Sequence, residues 1–330
     1  MADYLLLGAG FSRNWGGWLA TEAFEYLLGC PEVVGDPSIA TLLWKHQSGG
    51  GFESALAEAY NNFTRDPAPN LPVLRGLQDA ISRMFADMNN AFMEVSDWEF
   101  QAFKGRMVGT FLSRFDAIFT LNQDVLLEHY YVGNVHLSDN GKWRAGAQLP
   151  GMTRTPPQDP AHHDSWARST WRPAPEADFS VQANAQPIFK LHGSSNWLYP
   201  DGRSMLIMGG DKVKDIGQTP ILSKYAQIFE EGLSAPSARL MVIGYGFRDA
   251  HINATITAAV EKGLKLFIIC PEGAAIAMQL NPTRASNKMT VGTPLEDAVQ
   301  KALIGASRRG LREIFGGDTA EHNKVMRFFS

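Results

Sequence analysis

Residues 4–12 read YLLLGAGFS, an apolar run that stops at a glycine. A short apolar run bounded by small residues predicts a buried β-strand that ends in a tight turn. Gly8 lets the chain turn sharply, and Gly10 lets backbone N–H groups approach a pyrophosphate near a helix N-terminus. The following stretch, Leu19–Leu28, is compatible with a helix. The N-terminal region is therefore predicted to form a strand, a glycine turn and a helix.

Three later segments make the same change from apolar to small or polar residues. They read TLNQD from Thr120, KLHGS from Lys190 and VIGYG from Val242. In an open parallel sheet, loops that leave the carboxyl ends of adjacent strands converge on one crevice, and ligands bind there. We therefore expect all four segments to line one cleft. The fold class that follows is α/β, with a Rossmann-like parallel sheet flanked by helices.

Short apolar runs predict five strands, at Tyr4–Leu7, Ala117–Thr120, Ile188–Leu191, Leu240–Ile243 and Leu264–Ile269. Between the last two strands, apolar residues at helical spacing complete a strand–helix–strand unit. Residues 31–114 are predicted to be a helical insertion, interrupted by prolines near Asp66. Residues 132–187 are rich in proline without periodicity, which predicts an irregular excursion. Residues 1–330 are expected to form one ligand-binding domain.

The composition is that of a globular protein, since 45% of the 330 residues are hydrophobic and the formal net charge is −4. This acidic balance provides no general attraction to phosphate backbones, so direct nucleic-acid binding is not expected. All apolar runs are shorter than the roughly 18 residues of a membrane-spanning helix, and no secretory leader pattern is present. We therefore expect no membrane association and a cytoplasmic location. Cys30 and Cys270 are the only cysteines, which argues against a disulfide framework or a cysteine-built zinc site.

The glycine turn departs from the fingerprint of hydride-transfer dehydrogenases. Arg13 stands where the third glycine of that fingerprint is expected. No acidic residue ends a second strand about 20 positions further on, because Glu22 and Glu25 fall within the predicted helix. A standard dinucleotide-dependent dehydrogenase is therefore disfavoured.

The fourth segment continues as FRDAHIN to Asn253. Taken together and in this order, the four segments resemble the sirtuin family, and more closely the sirtuin-like NAD-consuming domains of bacterial antiviral defence systems. The resemblance implies a Rossmann-like site in which NAD is the substrate. It further implies that Asn122 positions the ribose hydroxyls or an attacking water, that Asp124 braces the loop or the ribose, and that His192 is the general base. An imidazole suits the last role because its ordinary pKa is near neutrality. The alternative is structural: His192 hydrogen-bonds a loop, and Asn122 and Asp124 cap a turn.

The resemblance also implies cofactor contacts along the cleft. Arg13 would contact a phosphate, Trp15 would form one wall of the nicotinamide pocket, and Glu272 would bind ribose hydroxyls. For His251, at the start of a predicted helix, a structural or interface role is favoured. The complete predicted binding set is Gly8, Ala9, Gly10, Ser12, Arg13, Trp15, Thr120, Gln123, Gly193, Gly244, Tyr245, Gly246, Cys270 and Glu272.

Deacylating sirtuins carry a four-cysteine zinc ribbon, which this chain cannot form with two cysteines. Water is then the expected acceptor, and the implied reaction is hydrolysis of NAD to nicotinamide and ADP-ribose. A deacylase or ADP-ribosyltransferase is one alternative, and a non-catalytic module that senses NAD or ADP-ribose is another.

The adjacent His162 and His163 are interpreted as a solvated loop, and no metal is expected. Because a free NADase would harm its own cell, we expect gating by homo-oligomerisation or by a partner such as a HerA-like ATPase.

Overall fold

The computed structural model describes residues 2–132, 142–209, 211–279 and 293–330. Its described strands are, in chain order, β1 (Asp3–Leu7), β2 (Ala117–Thr120), β3 (Ala147–Gln148), β4 (Met152–Thr155), β5 (Thr170–Pro173), β6 (Gln186–Lys190), β7 (Gly193–Leu198), β8 (Ser204–Leu206), β9 (Arg239–Ile243), β10 (Lys265–Ile269) and β11 (Leu303–Ser307). Seven of them form one sheet in the order β11-β10-β9-β1-β2-β6-β3, and every neighbouring pair in it is parallel.

The described α-helices are α1 (Ala9–Ser12), α2 (Ala20–Leu28), α3 (Pro31–Val34), α4 (Pro37–Lys45), α5 (Gly51–Arg65), α6 (Pro67–Phe92), α7 (Val108–Leu112), α8 (Leu126–Tyr130), α9 (Lys212–Gly217), α10 (Pro220–Leu233), α11 (Ala250–Glu261), α12 (Ile276–Gln279), α13 (Pro294–Ala302), α14 (Leu311–Gly316) and α15 (Thr319–Met326). Together with the parallel sheet that they flank, they confirm the predicted α/β, Rossmann-like class. In the described ranges, no helix combines the length and the apolarity that crossing a bilayer requires.

The sheet registers align the carboxyl ends of its central strands. Leu7 at the end of β1 lies opposite Thr120 of β2 and opposite Ile243 of β9. Thr120 in turn lies opposite Lys190 of β6. The four loops that follow these strands therefore leave the sheet at one edge. The chain runs from β1 through β2 to β6 on one side, and from β9 through β10 to β11 on the other. The switch point between β1 and β9 is where open α/β sheets bind ligands.

The five predicted strands are all present, with ends that differ by at most two residues. Their apolar runs are buried on both faces, as parallel strands covered by helices require. Sequence reasoning missed the two strands at the sheet edges, β3 and β11. β3 has only two residues, and β11 reads LIGAS, whose glycine and small residues weaken the strand signal.

Residues 31–114 contain α3 to α7, and the proline-bearing break predicted near Asp66 lies between α5 and α6. Asp66 is extended, with φ of −144°, as expected for a residue that precedes proline. The long helix α6 buries the apolar face that the sequence indicated: Leu74, Leu77, Ile81, Met84 and Phe85. The C-terminal part of this helix reaches the loop that follows β2, where Asn89 accepts from the N–H of Val125.

Part of the excursion at 132–187 is ordered into short strands, although residues 133–141 lie outside the described residues. β3 extends the main sheet, and β4 and β5 form a second sheet with β7 and β8 in the order β4-β5-β7-β8. Trp171 of β5 lies opposite Trp197 of β7 in the strand register, and both residues are buried. The strands have two to four residues in this stretch, and β4 alternates between half-buried and exposed positions. Such segments leave no apolar run for a sequence pattern to detect.

Candidate active site

The turns after β1 and β9 are pressed against each other, and glycine makes this possible. The N–H of Gly8 donates to the carbonyl of Ile243 at 3.0 Å, and the N–H of Gly10 donates to the carbonyl of Gly244 at 2.9 Å. A Cβ atom on Gly244 would lie 2.3 Å from the carbonyl carbon of Gly10, and Gly244 has a φ of +66°. The geometry therefore explains these glycines by close backbone packing, because the amide of Gly10 is already bonded. Their contact with a phosphate stays a prediction.

Ser12 connects the loops that follow β1 and β2. Its Oγ donates to Oδ2 of Asp124 at 2.8 Å and accepts from Nδ2 of Asn122 at 3.0 Å. The serine is buried, with 2% of its surface exposed, and Asn122 is half-buried. Three residues that the sequence assigned to one site thus form a direct hydrogen-bonded group, although 110 positions separate Ser12 from Asn122.

Asp124 is held from several directions. Its Oδ1 accepts from the N–H of Leu126 at 3.1 Å, a side-chain-to-backbone bond that closes the turn before α8, as the structural alternative anticipated. Burial raises the pKa of this carboxyl, and the nearby Lys190 ammonium and the Ser12 hydroxyl oppose that rise. Lys190 donates to the backbone carbonyl of Asp124 and to Oε1 of Glu128, each at 2.6 Å. The loop of Asp124 is therefore braced from beneath by a buried ion pair.

Gln123 joins the loop after β2 to the turn between β6 and β7. Its Nε2 donates to the carbonyls of His192 at 3.0 Å and of Ile207 at 2.9 Å. Its own carbonyl accepts from the N–H of Ser195 at 2.8 Å. The Gln123 amide thus positions the backbone of His192, and the predicted contact of Gln123 with the cofactor stays a prediction. The neighbouring turn needs Gly193, whose φ is +75° and where a Cβ would lie 2.0 Å from the Met205 carbonyl oxygen.

His192 faces a second histidine. Its Nε2 lies 3.2 Å from Nε2 of His251, and only 4% of His192 is exposed. Burial, with a smaller contribution from the positive charge of Lys212, lowers the pKa of His192 to about 3, although Asp249 opposes this shift. Burial also lowers the pKa of His251. Both rings are therefore neutral near pH 7, with one nitrogen of the pair donating and the other accepting.

Asp249 and Lys212 complete a polar cluster around the two imidazoles. Lys212 Nζ lies 2.7 Å from Oδ1 of Asp249 and 2.8 Å from Oε2 of Glu53. Burial alone would raise the pKa of Asp249, but Lys212 and the two histidines outweigh that effect and lower it. The sequence assigned no chemistry to these residues. The available signal was the pair Asp249 and His251, two positions apart at the N-terminus of α11 and at the carboxyl edge of the sheet.

Tyr245 is also part of the site's framework. Its hydroxyl lies 3.0 Å from Oδ1 of Asn253 and accepts from the N–H of Asp249 at 3.1 Å. Burial raises the pKa of this phenol. Gly246, next to it, is half-buried and has room for a side chain, because a Cβ there would meet only Arg248 Cγ at 3.9 Å. Thr120, at the end of β2, is buried and its Oγ1 accepts from the N–H of Asn122 at 3.1 Å.

Arg13 and Trp15, which follow the glycine turn, contact other side chains and backbone groups of the protein. Arg13 lies 2.7 Å from Glu22 in an ion pair whose arginine is half exposed. The indole of Trp15 is buried, donates to the carbonyl of Trp98 at 3.1 Å, and stacks on Trp98 and on Phe100. This packing lends no support to Trp15 as the wall of a nicotinamide pocket. Ala9 is exposed at the start of α1.

A cavity of about 400 Å³ lies at the carboxyl ends of β10 and β11. Residues 273–275 and 306–309 line it together with Glu321 and Lys324. Cys270 and Glu272 immediately precede this wall, and Glu272 is half-buried. The Cys270 thiol donates to the carbonyl of Gly273 at 3.1 Å, and burial raises the pKa of the thiol to about 11. The sequence did not indicate this cavity because its second wall comes from the unpredicted strand β11.

The two cysteines cannot supply the zinc ribbon of deacylating sirtuins. Both are free and buried, Cys30 beside α2 and Cys270 at the end of β10. A ribbon of that kind uses four thiolates at short spacing, so this donor set does not fit it.

A family model described as SIR2-like domain matches residues 116–289, more than half of the chain. The matched range contains Asn122, Asp124, His192 and His251. No curated protein is significantly similar to the chain. SIR2-like domains are NAD-dependent enzymes, and the resemblance to a sirtuin-like family is confirmed. The chain therefore belongs to the SIR2-like domain family, and its function is related to NAD.

Proposed function

We propose that the protein is an NAD⁺ glycohydrolase, which uses water to cleave NAD⁺ into nicotinamide and ADP-ribose. The observation that carries this proposal is the hydrogen-bonded group of Ser12, Asn122 and Asp124 beside His192 at one edge of the sheet. Four segments that are far apart in sequence meet there. The absence of a four-cysteine set in this chain favours water over an acyl-peptide as the acceptor.

In the proposed reaction, the bond between the ribose C1′ and the nicotinamide nitrogen breaks, and its electron pair neutralises the pyridinium. Positive charge develops on the ribose until the oxygen of a water molecule bonds to C1′. That water loses a proton, which His192 accepts as a general base. The Asn122 amide, held by Ser12 through its Nδ2, turns its carbonyl oxygen to the water or to a ribose hydroxyl.

The neutral state of His192 suits a proton acceptor, but its lowered pKa means that the buried imidazolium is unfavourable. The neighbouring Asp249 is the group that favours the protonated ring. We therefore assign both neighbours a positioning role in this reaction: His251 orients His192 through the contact between their Nε2 atoms, and Asp249 stabilises the charge that His192 gains. Lys212 keeps Asp249 ionised.

The adenosine half of NAD would extend toward β10 and β11 in this proposal. The cavity there has the size of a small-molecule pocket and lies at the same edge of the sheet as the glycine turn. Arg308, Arg309 and Lys324 supply positive charge in its wall. Glu272 precedes that wall and is the proposed acceptor for the ribose hydroxyls.

The direct experiment measures nicotinamide released from NAD⁺ by chromatography. We expect His192→Ala and Asn122→Ala each to lower the rate by about 10²-fold to 10⁴-fold, because general-base catalysis and substrate orientation contribute on this order. Binding of NAD⁺ should persist. The matched control is His163→Ala, which removes an exposed histidine from a loop. A wild-type rate for His192→Ala would overturn the assignment.

The products also distinguish the alternatives. O-acyl-ADP-ribose or an ADP-ribosylated protein, detected by mass spectrometry, would identify a deacylase or a transferase. Tight NAD⁺ binding in calorimetry without nicotinamide release would identify a sensing module.

We further propose that the enzyme is a gated effector of antiphage defence, controlled by homo-oligomerisation or by a partner such as a HerA-like ATPase, since unrestrained hydrolysis would deplete the cell of NAD.

A further inference from the structure

Three side chains with metal-binding atoms converge at His192, Asp249 and His251. One ligand atom from each lies within 4.8 Å of the others. The Nε2 atoms of the two histidines are 3.2 Å apart. Two imidazole nitrogens bound tetrahedrally to zinc, at about 2.0–2.1 Å each, are roughly 3.3 Å apart. The two Nε2 atoms therefore already have the separation that two ligands of one zinc ion require.

The electrostatics of the cluster also suit a divalent cation. Zinc binds the neutral form of imidazole, and burial keeps both rings neutral. The Asp249 carboxylate acts on both imidazoles more strongly than the opposing Lys212 ammonium, which favours a cation at this position. The ammonium bonds Oδ1 of Asp249, and a carboxylate has a second oxygen for a metal.

The ligands sit on constrained backbone. Asp249 is the N-cap residue of α11, and its N–H donates to the Tyr245 hydroxyl. His251 lies in the first turn of the same helix. His192 precedes Gly193 in the turn that Gln123 holds by its backbone carbonyl. Ordered supports of this kind lower the cost of assembling a metal site.

We propose that His192, Asp249 and His251 bind Zn²⁺, and that the bound ion inhibits the enzyme because it occupies Nε2 of His192. Two histidines and one carboxylate leave a fourth position for water, a common zinc arrangement. The binding proposal does not depend on the proposed function, whereas the inhibition rests on it. Sequence reasoning expected no metal and gave His251 a structural or interface role, so it did not predict a site shared by these histidines, which are 59 positions apart.

The test of binding needs no substrate. Full-length protein is freed of metal with a chelator and titrated with Zn²⁺ by calorimetry, and Co²⁺ is used as a spectroscopic probe of four-coordinate geometry. We expect one ion per chain. Removing a residue that only supports a metal ligand weakens metal binding by about 10-fold to 100-fold. His251 is itself a ligand in this proposal, so we expect His251→Ala to weaken Zn²⁺ binding by at least that much.

The matched control is the double substitution His162→Ala and His163→Ala, which removes two histidines from an exposed loop next to Asp159 and Asp164. This variant should bind Zn²⁺ as the wild type does. Equal binding by His251→Ala, loss of binding only in the loop variant, or no binding at all would each overturn the proposal. Imidazole nitrogen NMR of the unmodified protein gives an answer that no folding defect can affect, because Zn²⁺ must shift the signals of His192 and His251.

Inhibition is measured separately, as nicotinamide release with and without Zn²⁺. We expect loss of activity at one bound ion per chain and recovery after chelation. Full activity of the loaded protein would overturn the inhibitory role. If no form of the protein releases nicotinamide, the proposed function fails, and the binding measurements still decide the metal site.

Discussion

Lys190 and Glu128 form an ion pair beneath the site, in which both side chains are buried. Burial raises the pKa of Glu128, and Lys190 opposes the rise. We expect Lys190→Met to destabilise the protein by about 3–5 kcal/mol, because it leaves an uncompensated carboxylate in the core. The double variant with Glu128→Leu should recover most of this loss. Urea unfolding of the wild type, both single variants and the double variant measures the effect, and a double variant as unstable as Lys190→Met would contradict the electrostatic explanation.

The lowered pKa of His192 predicts a pH dependence of stability. Between about pH 6.5 and pH 3 the unfolded chain binds a proton at this residue that the folded chain does not. Stability therefore falls as the pH falls, by about 2 kcal/mol between pH 7 and pH 5 from this group. In His192→Ala, the decline measured by urea unfolding in the presence of a chelator should be smaller by that amount. His163→Ala should keep the wild-type dependence, and identical slopes in all three proteins would show that the imidazole is not buried in solution.

At the scale of elements, the contact between the turns after β1 and β9 depends on Gly244, whereas the nearby Gly246 has room for a side chain. Gly244→Ala introduces a Cβ 2.3 Å from the Gly10 carbonyl carbon at a φ of +66°. We expect a loss of more than about 3 kcal/mol of stability, from backbone strain and overlap together. Gly246→Ala is the matched control, because its Cβ has space, and it should change stability by less than about 1 kcal/mol. Thermal unfolding of both variants is the measurement. Equal stability would mean that the two turns are further apart than described.

The helix α6 connects the helical segment to the site. Asn89 accepts from the N–H of Val125 at 3.1 Å and donates to Oγ of Ser195 at 2.9 Å. We expect Asn89→Ala to lower nicotinamide release by about 10-fold to 100-fold, because it frees the loop of Asn122 from its support. Asn90→Ala changes the exposed neighbour on the same helix and should leave the rate unchanged. Equal rates in the two variants would remove α6 from the account of the site.

At the scale of the whole molecule, two residues of the helical insertion contact the surroundings of the site. Glu53 of α5 pairs with Lys212, and Asn89 of α6 accepts from the N–H of Val125. Residues 31–114 therefore contact the groups that surround the proposed catalytic residues. If assembly gates the enzyme as proposed, nicotinamide release per chain should rise with protein concentration, in step with the mass measured by light scattering. A rate per chain that is constant across monomer and oligomer would exclude this form of gating.

The extent of prediction differs between the fold and the site. Strands such as Ala117–Thr120 were predictable because a buried parallel strand is a local apolar run that ends in a recognisable turn. Asn122, Asp124 and His192 were predictable as candidates because they follow such strands. Their partners were not, because Ser12 Oγ could have met any polar group at that edge until the strand order was known.

The sequence by itself determined the α/β class, the central strands and the edge at which polar residues gather, since all three depend on short-range patterns of burial and turn formation. Only the tertiary structure decided which groups meet. It placed Trp15 in an aromatic stack, directed the Gln123 amide to the backbone of His192, and brought His251 within 3.2 Å of that imidazole. Contacts between residues distant in the chain depend on strand order and register, and a linear pattern does not contain them.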